Sequence, residues 1–160
     1  MSKIVTTANK KDEKFLRRPT ASFDFSKHKK SEIRQLIKDM RTTMQKADGI
    51  GLSANQIGLN TKIFVAKVEN KFYTLFNPEF IQISKETSDI DEGCLSIPGV
   101  FGMVERPAKV TIKGLDANGK TVKIKAWGLL ARVFQHEMDH LNGRLFIDRA
   151  KTVQKLESRN

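Results

Sequence analysis

Trp127-Gly128-Leu129-Leu130-Ala131-Arg132-Val133-Phe134-Gln135-His136-Glu137-Met138-Asp139-His140-Leu141-Asn142-Gly143 places apolar side chains at Leu129, Leu130, Val133, Phe134, Met138 and Leu141, the spacing of a helix with a broad apolar surface. Asn142-Gly143 ends it with residues that tolerate left-handed backbone. A helix this apolar, predicted over residues 127–141, should cross the middle of the fold. On it His136 and His140 lie one turn apart on the same face, where two imidazoles can hold one divalent metal ion. Glu137 stands beside them, within reach of a water at that ion. This is a hydrolytic site in outline, in a rigid and partly dry setting that strengthens the field of the ion. Asp139 reads as an ordinary salt-bridge partner, with the holding of a histidine as the alternative.

Two histidines leave a metal under-coordinated, and the chain has one cysteine. Cys94 sits in Asp91-Glu92-Gly93-Cys94-Leu95-Ser96-Ile97-Pro98-Gly99, read as a Gly- and Pro-bounded loop that could bend it toward the helix. Cys94 is therefore the expected third ligand, against the alternative of a small buried hydrophobe. Glu92 could supply a carboxylate ligand or orient a ligating side chain, and spacing alone does not choose. In Gly49-Ile50-Gly51-Leu52-Ser53-Ala54-Asn55-Gln56 no Gly-Lys-Ser/Thr follows the glycines, so a phosphate loop is not expected. Gln56 offers a neutral amide donor that can serve an oxyanion without titrating.

Around these stretches the chain reads as α+β: mostly antiparallel β-sheets packed around a central metal-binding helix, with one further N-terminal helix. Residues 1–25 are polar and irregular, interrupted by Pro19 and pinned by Phe15, Leu16, Phe23 and Phe25. From about Lys29 to Ala47 apolar residues recur at helical spacing. His28, before this helix, reads as solvated. Residues 61–68, 72–77 and 80–84 read as successive strands, separated at Glu69-Asn70-Lys71 and at Pro78. Residues 110–112 and 121–125 form a hairpin around Asp116-Ala117-Asn118-Gly119, with the lysines at 113, 120, 123 and 125 on a solvated face.

The length of 160 residues fits a single catalytic domain spanning 1–160, with a short N-terminal segment, 1–25, and a polar tail, 149–160. No apolar run is long enough to span a bilayer, and Met1-Ser2-Lys3-Ile4-Val5 lacks the apolar core of a signal peptide, so a cytoplasmic protein without membrane partners is expected. A lone cysteine suits a reducing compartment. The net charge of +11 comes without a helix-turn-helix, zinc-finger or RNP signature. A specific nucleic-acid module is therefore not expected, and weak attraction of the basic surface to a polyanionic assembly such as the ribosome is.

Gly49 to Gln56, Glu92-Gly93-Cys94-Leu95-Ser96 and Gln135 to Gly143 together resemble, in order and separation, the three signature motifs of peptide deformylases. Asn77-Pro78 and Gly128-Leu129-Leu130-Ala131 are similar to the family as well. The resemblance implies a metal-dependent hydrolase that removes the formyl group from N-terminal formylmethionine of newly synthesised polypeptides and releases formate. It implies Cys94, His136 and His140 as ligands of one divalent ion, Fe2+ in many members, with Ni2+, Co2+ or Zn2+ able to occupy the site. Glu137 matches the general acid/base, and Gln56 and the backbone N–H of Leu95 match the oxyanion donors. Val133, Leu129 and Ile50 are placed to line an apolar pocket for the methionine side chain. Backbone groups of Ile50, Gly51 and Gly93 would meet an extended N-formylmethionyl peptide.

Three departures stand out. Ser53 occupies a position that is usually alanine in the family. Arg132 makes part of the pocket rim polar, or is folded away. The chain stops soon after Phe146, where many bacterial members continue into a long helix that contacts the ribosome, so docking by that route is not expected. A zinc endopeptidase would share His136, Glu137 and His140 but would need a third His or Glu downstream, where Glu157 is the one Glu. A basic ribosome- or RNA-binding protein with a vestigial site is the other rival.

Overall fold

Ten of the fourteen residues of helix α3 (Gly128–Leu141) are buried, so the apolar helix does pass through the centre of the molecule. The computed structural model describes residues 1–156; Glu157 and the rest of the tail to Asn160 lie outside the described residues. Around α3 stand α1 (Lys10–Leu16), α2 (Lys30–Lys46) and eight strands: β1 (Gly51–Ser53), β2 (Ile63–Val68), β3 (Lys71–Ile83), β4 (Thr87–Cys94), β5 (Ile97–Pro107), β6 (Lys109–Leu115), β7 (Thr121–Trp127) and β8 (Thr152–Lys155). The strands form a five-stranded sheet of order β1-β2-β3-β6-β7 and a three-stranded sheet of order β4-β5-β8. Every pairing is antiparallel. Among the described residues no helix is long and apolar enough to cross a membrane.

The larger sheet is covered on both faces. Side chains alternate along a strand, and in β2 Phe64, Ala66 and Val68 pack with Phe134, Met138 and Leu141 of α3. Ile63 and Val65 turn the other way, to Met40 and Met44 of α2. The backbone N–H of Lys29 donates to the Glu32 carboxylate at the start of α2 (2.7 Å), satisfying one of the helix's free donors. At the other end of α3, Gly143 takes φ +75° and lies against the Arg17 backbone so closely that a Cβ would collide with it. Thr20 N–H donates to Leu141 C=O there (2.8 Å), which fastens the N-terminal segment across the helix terminus.

Four features differ from the sequence reading. A short helix, α1, forms within the segment expected to be irregular, with Asn9 as N-cap accepting from Asp12 N–H at 2.8 Å. The strands expected over 72–77 and 80–84 are one, β3, because Asn77 adopts φ +49° and absorbs a register shift beside Pro78 instead of ending the strand. The Asn77 side chain secures this bulge, accepting from Phe23 N–H (2.7 Å) and donating to Phe23 C=O (3.0 Å). The Gly- and Pro-bounded loop is a hairpin: Asp91 to Cys94 finish β4, Leu95-Ser96 turn, and Ile97 begins β5. Finally, part of the polar tail, Thr152–Lys155, pairs with Val100 to Met103 as an edge strand.

Candidate active site

Three elements bring the chemistry together. Helix α3 supplies His136, Glu137 and His140; β1 and the 3-10 turn that follows it, Ala54–Ile57, supply Gly51, Ser53 and Gln56; and the end of β4 supplies Glu92 and Cys94. The segment before α1 ties the last two together, since Val5 N–H donates to Gln56 C=O (2.7 Å) and Thr7 N–H to Ser96 C=O (2.9 Å).

Cys94, His136 and His140 each aim one ligand atom at a common point, all within 4.8 Å of one another. His140 Nε2 is 3.2 Å from Cys94 Sγ and 3.2 Å from His136 Nε2. These separations are close to the donor–donor edges, about 3.4–3.7 Å, of a tetrahedral ion with bonds of roughly 2.1–2.3 Å. One thiolate and two imidazoles suit a divalent transition metal, and three protein ligands leave a position open to water and substrate. The residues therefore fit the ion that the sequence motif implies. Burial pushes the Cys94 thiol up, but the neighbouring His140 and His136 outweigh it and hold the thiol well below its ordinary range, as a ligating thiolate requires.

Glu92 is placed outside this trio. Its Oε1 accepts from His136 Nδ1 at 2.8 Å and from Arg106 at 2.9 Å, and its Oε2 accepts from Arg106 Nε at 2.7 Å and Arg132 at 2.8 Å. Burial pushes this carboxyl up, yet the bonds from His136 and Arg106 dominate and keep it ionised far below its ordinary value. An ionised carboxylate only accepts, so the His136 proton sits on Nδ1 and the Nε2 lone pair faces the other ligands. Of the two roles left open for Glu92, the geometry has it orienting a ligand. Asp139 makes ion pairs with Arg106 (2.8 Å) and Arg149 (2.7 Å), the structural role expected. Arg132 still borders the pocket, but its guanidinium is turned inward, donating also to Val104 C=O (2.7 Å) and Ser88 C=O (2.8 Å). His140 Nδ1 and Asn55 Oδ1 are buried without a partner among the described residues, while Asn55 Nδ2 donates to His140 C=O at 2.6 Å.

Glu137 is almost fully buried, and desolvation raises its carboxyl above the ordinary value although His136, His140 and the Ser53 hydroxyl pull the other way. A carboxyl raised in this way is suited to taking and returning a proton. The Gln56 amide is fixed at both ends: Oε1 accepts from Ser53 N–H (2.9 Å), and Nε2 donates to Ser96 Oγ (3.1 Å) and points at Cys94 Sγ (3.7 Å). Beside the ligands opens a pocket of about 600 Å³ whose lining includes Gln56, Leu95, Glu137 and His136, together with Ile50, Gly51, Gly93, Leu129 and Val133. Ten of the eleven residues singled out from the sequence, Cys94 among them, thus border one cavity, the exception being the more deeply buried His140.

Arg106 and Ser53 carry parts of the site that the sequence reading did not assign. Had Asp91 to Cys94 been read as strand, the pairings Ser88↔Arg106, Ile90↔Val104 and Glu92↔Gly102 would place Arg106 on the face of Glu92. The same pairing would have found Ile90, which also borders the pocket. Ser53, two residues after Gly51 in β1, shares the face that meets α3.

A family model described as polypeptide deformylase matches residues 1–156. A peptide deformylase of Carboxydothermus hydrogenoformans is 50% identical over 121 residues, covering 76% of this chain and 79% of that protein. The crystal structure of a peptide deformylase from Synechococcus elongatus in complex with actinonin superposes with a TM-score of 0.85 at 40% identity, covering 94% of this chain and 79% of that one. A Met-Ala-Ser-bound class I type b peptide deformylase of Acinetobacter baumannii superposes with a TM-score of 0.87 at 29% identity, covering 93% of this chain and 98% of that one.

Proposed function

The chain belongs to the polypeptide deformylase family, and from that premise we propose which of its residues remove the formyl group from the N-terminal formylmethionine of newly synthesised polypeptides. It is a hydrolase of protein biosynthesis that releases formate and a free amino terminus. The observation that carries the assignment is the convergence of Cys94 Sγ, His136 Nε2 and His140 Nε2 at the wall of the pocket that Glu137 and Gln56 also border.

Cys94, His136 and His140 hold one divalent ion, which when bound supplies Lewis-acid polarisation and acidifies water at neutral pH. Fe2+ is the ion proposed, with Ni2+, Co2+ or Zn2+ as competent substitutes for the same thiolate-imidazole set. Glu137 takes the proton of the attacking water and returns it to the departing amine. Gln56 Nε2 and the Leu95 N–H donate to the oxygen of the formyl group as negative charge develops there. Leu129, Val133 and Ile50 hold the methionine side chain, and Ile50, Gly51 and Gly93 lie where an extended peptide backbone would run. That the Acinetobacter baumannii relative binds Met-Ala-Ser supports a peptide as the ligand.

The same proposal takes residues 1–160 as one catalytic domain, supported by the family match over 1–156. It places the enzyme in the cytoplasm, where a reducing environment preserves the Cys94 thiolate. It also includes weak ribosome association through the basic surface, supported by the net charge of +11. The test is formate release from formyl-Met-Ala-Ser by protein purified without oxygen and loaded with Fe2+ or Ni2+. The wild type releases formate and Glu137→Ala is slower by about 10²–10⁴-fold; no formate from loaded wild type contradicts the reading.

A further inference from the structure

We propose that Ser53 is a positioning residue for this reaction: its hydroxyl fixes the Glu137 carboxylate through Oε2 and leaves Oε1, against Gly51 at the pocket wall, to exchange the reacting proton. The proposal rests on the role given above to Glu137.

Ser53 Oγ lies 2.7 Å from Glu137 Oε2 and 3.1 Å from the Glu137 backbone oxygen. Both side chains are shut off from solvent, Ser53 at 0% and Glu137 at 3% exposure, so bulk water does not replace either bond. Among the described residues the Ser53 hydroxyl is the one hydrogen-bond donor to the Glu137 carboxylate. Rotation about the last torsion of a glutamate is soft, and without a fixed donor the two oxygens would not hold one orientation. At 2.7 Å to an ionised acceptor the bond is of the strong, charge-assisted kind.

The backbone of β1 completes the arrangement. Gly51 and Ser53 project toward the same side, and a Cβ on Gly51 would collide with Glu137 Oε1 and crowd Val133. β1 therefore leaves room for one oxygen of Glu137 and grips the other. Once Glu137 has accepted its proton, the serine hydroxyl has a second acceptor close by in the Glu137 backbone oxygen. Ser53 N–H also donates to Gln56 Oε1 (2.9 Å), so one residue sets both the proton-transfer group and the amide that faces the oxyanion.

The test compares metal-loaded wild type, Ser53→Ala, Glu137→Asp and the double variant, measuring kcat, KM and bound metal per chain, with Glu137→Ala as control. Ser53→Ala should lower kcat about ten- to a hundredfold, the effect of one buried hydrogen bond to a charged group. KM should stay within about twofold and bound metal should be unchanged, since neither substrate nor ion touches the hydroxyl. In Glu137→Asp the shortened carboxylate is drawn away from Ser53, and adding Ser53→Ala should then change kcat by less than about twofold. An unchanged kcat in Ser53→Ala, a loss of kcat matched by loss of metal or by an equal rise in KM, or full additivity in the double variant would each overturn the proposal. Activity retained in Glu137→Ala would instead remove the role of Glu137 on which it stands.

Discussion

Strand β2 of the five-stranded sheet buries five of its six residues, whereas strand β4 of the three-stranded sheet exposes six of its eight. The first is held by apolar contact on both faces, to α2 and to α3. The second has Glu92 as its one buried side chain, and that carboxylate is held by Arg106, Arg132 and His136. Yet it is β4 that delivers Cys94 to the histidines of α3. The larger sheet makes a rigid seat for the helix by burying hydrocarbon. In the smaller sheet β5 packs Ile97 and Val104 with Leu16, Leu145 and Phe146, but β4 itself is set by charges and hydrogen bonds, which fix direction more narrowly than apolar contact does.

If that division is correct, the two sheets respond differently to damage. The largest effect should come from Glu92→Ala, which leaves Arg106 and Arg132 buried with an accepting carboxylate removed. Unfolding free energy should fall by about 4 kcal/mol, read by urea denaturation. Metal affinity should fall about ten- to a hundredfold, because His136 loses the partner of Nδ1. Leu75→Ala, in the apolar core beside Phe134, should cost about 3 kcal/mol and leave metal affinity within about twofold. Equal losses of metal affinity in the two variants would erase the distinction.

The smallest effect belongs to an ion pair at the rim. Burial raises the Asp148 carboxyl, but hydrogen bonds from Arg17 and the Leu145 N–H outweigh it and leave the value below the ordinary one. A carboxyl depressed in the fold stabilises it fully above about pH 4, and the contribution disappears as pH falls through the folded value. Because Arg17 and Asp148 are each more than a third exposed, screening should keep this under about 1 kcal/mol. Asp148→Asn should therefore be slightly less stable than wild type at pH 6 in thermal melts, and the difference should shrink as the pH is lowered below about 4.

The same contrast decides what was legible in the sequence. Helix α3, helix α2 and the β6–β7 hairpin carry plain periodicity and turn residues; the helix bounds fall within a residue of those expected, and the hairpin strands run two or three residues longer than expected at their C-terminal ends. His136, Glu137 and His140 come from a short motif on α3, whereas Cys94 and Gln56 come from short motifs outside those elements, at the end of β4 and in the turn after β1. Strand β4 has no apolar alternation to mark it, since its partners are charged residues and an edge of hydrogen bonds, so it read as a loop. Arg106 was hidden for that reason: the partner that turns Glu92 from a candidate ligand into a holder of His136 lies fourteen residues away, across an unrecognised pairing. In β3, Pro78 looked like a break because the left-handed Asn77 and its bonds to Phe23 depend on a segment fifty-four residues earlier. The Asn9 cap before Asp12 and Glu13 was a visible signal for α1, outweighed in the reading by Pro19.

The most direct test of the central claim, that a charged edge strand and an apolar helix meet at one ion, is metal content. Wild type, Cys94→Ser, His140→Ala and Glu137→Ala would be loaded with Ni2+, passed over a desalting column and assayed for metal per chain. One ion per chain in wild type and in Glu137→Ala, with loss in Cys94→Ser and His140→Ala, is the predicted result. A full equivalent of metal retained by Cys94→Ser would show that β4 does not complete the site, and would contradict the account.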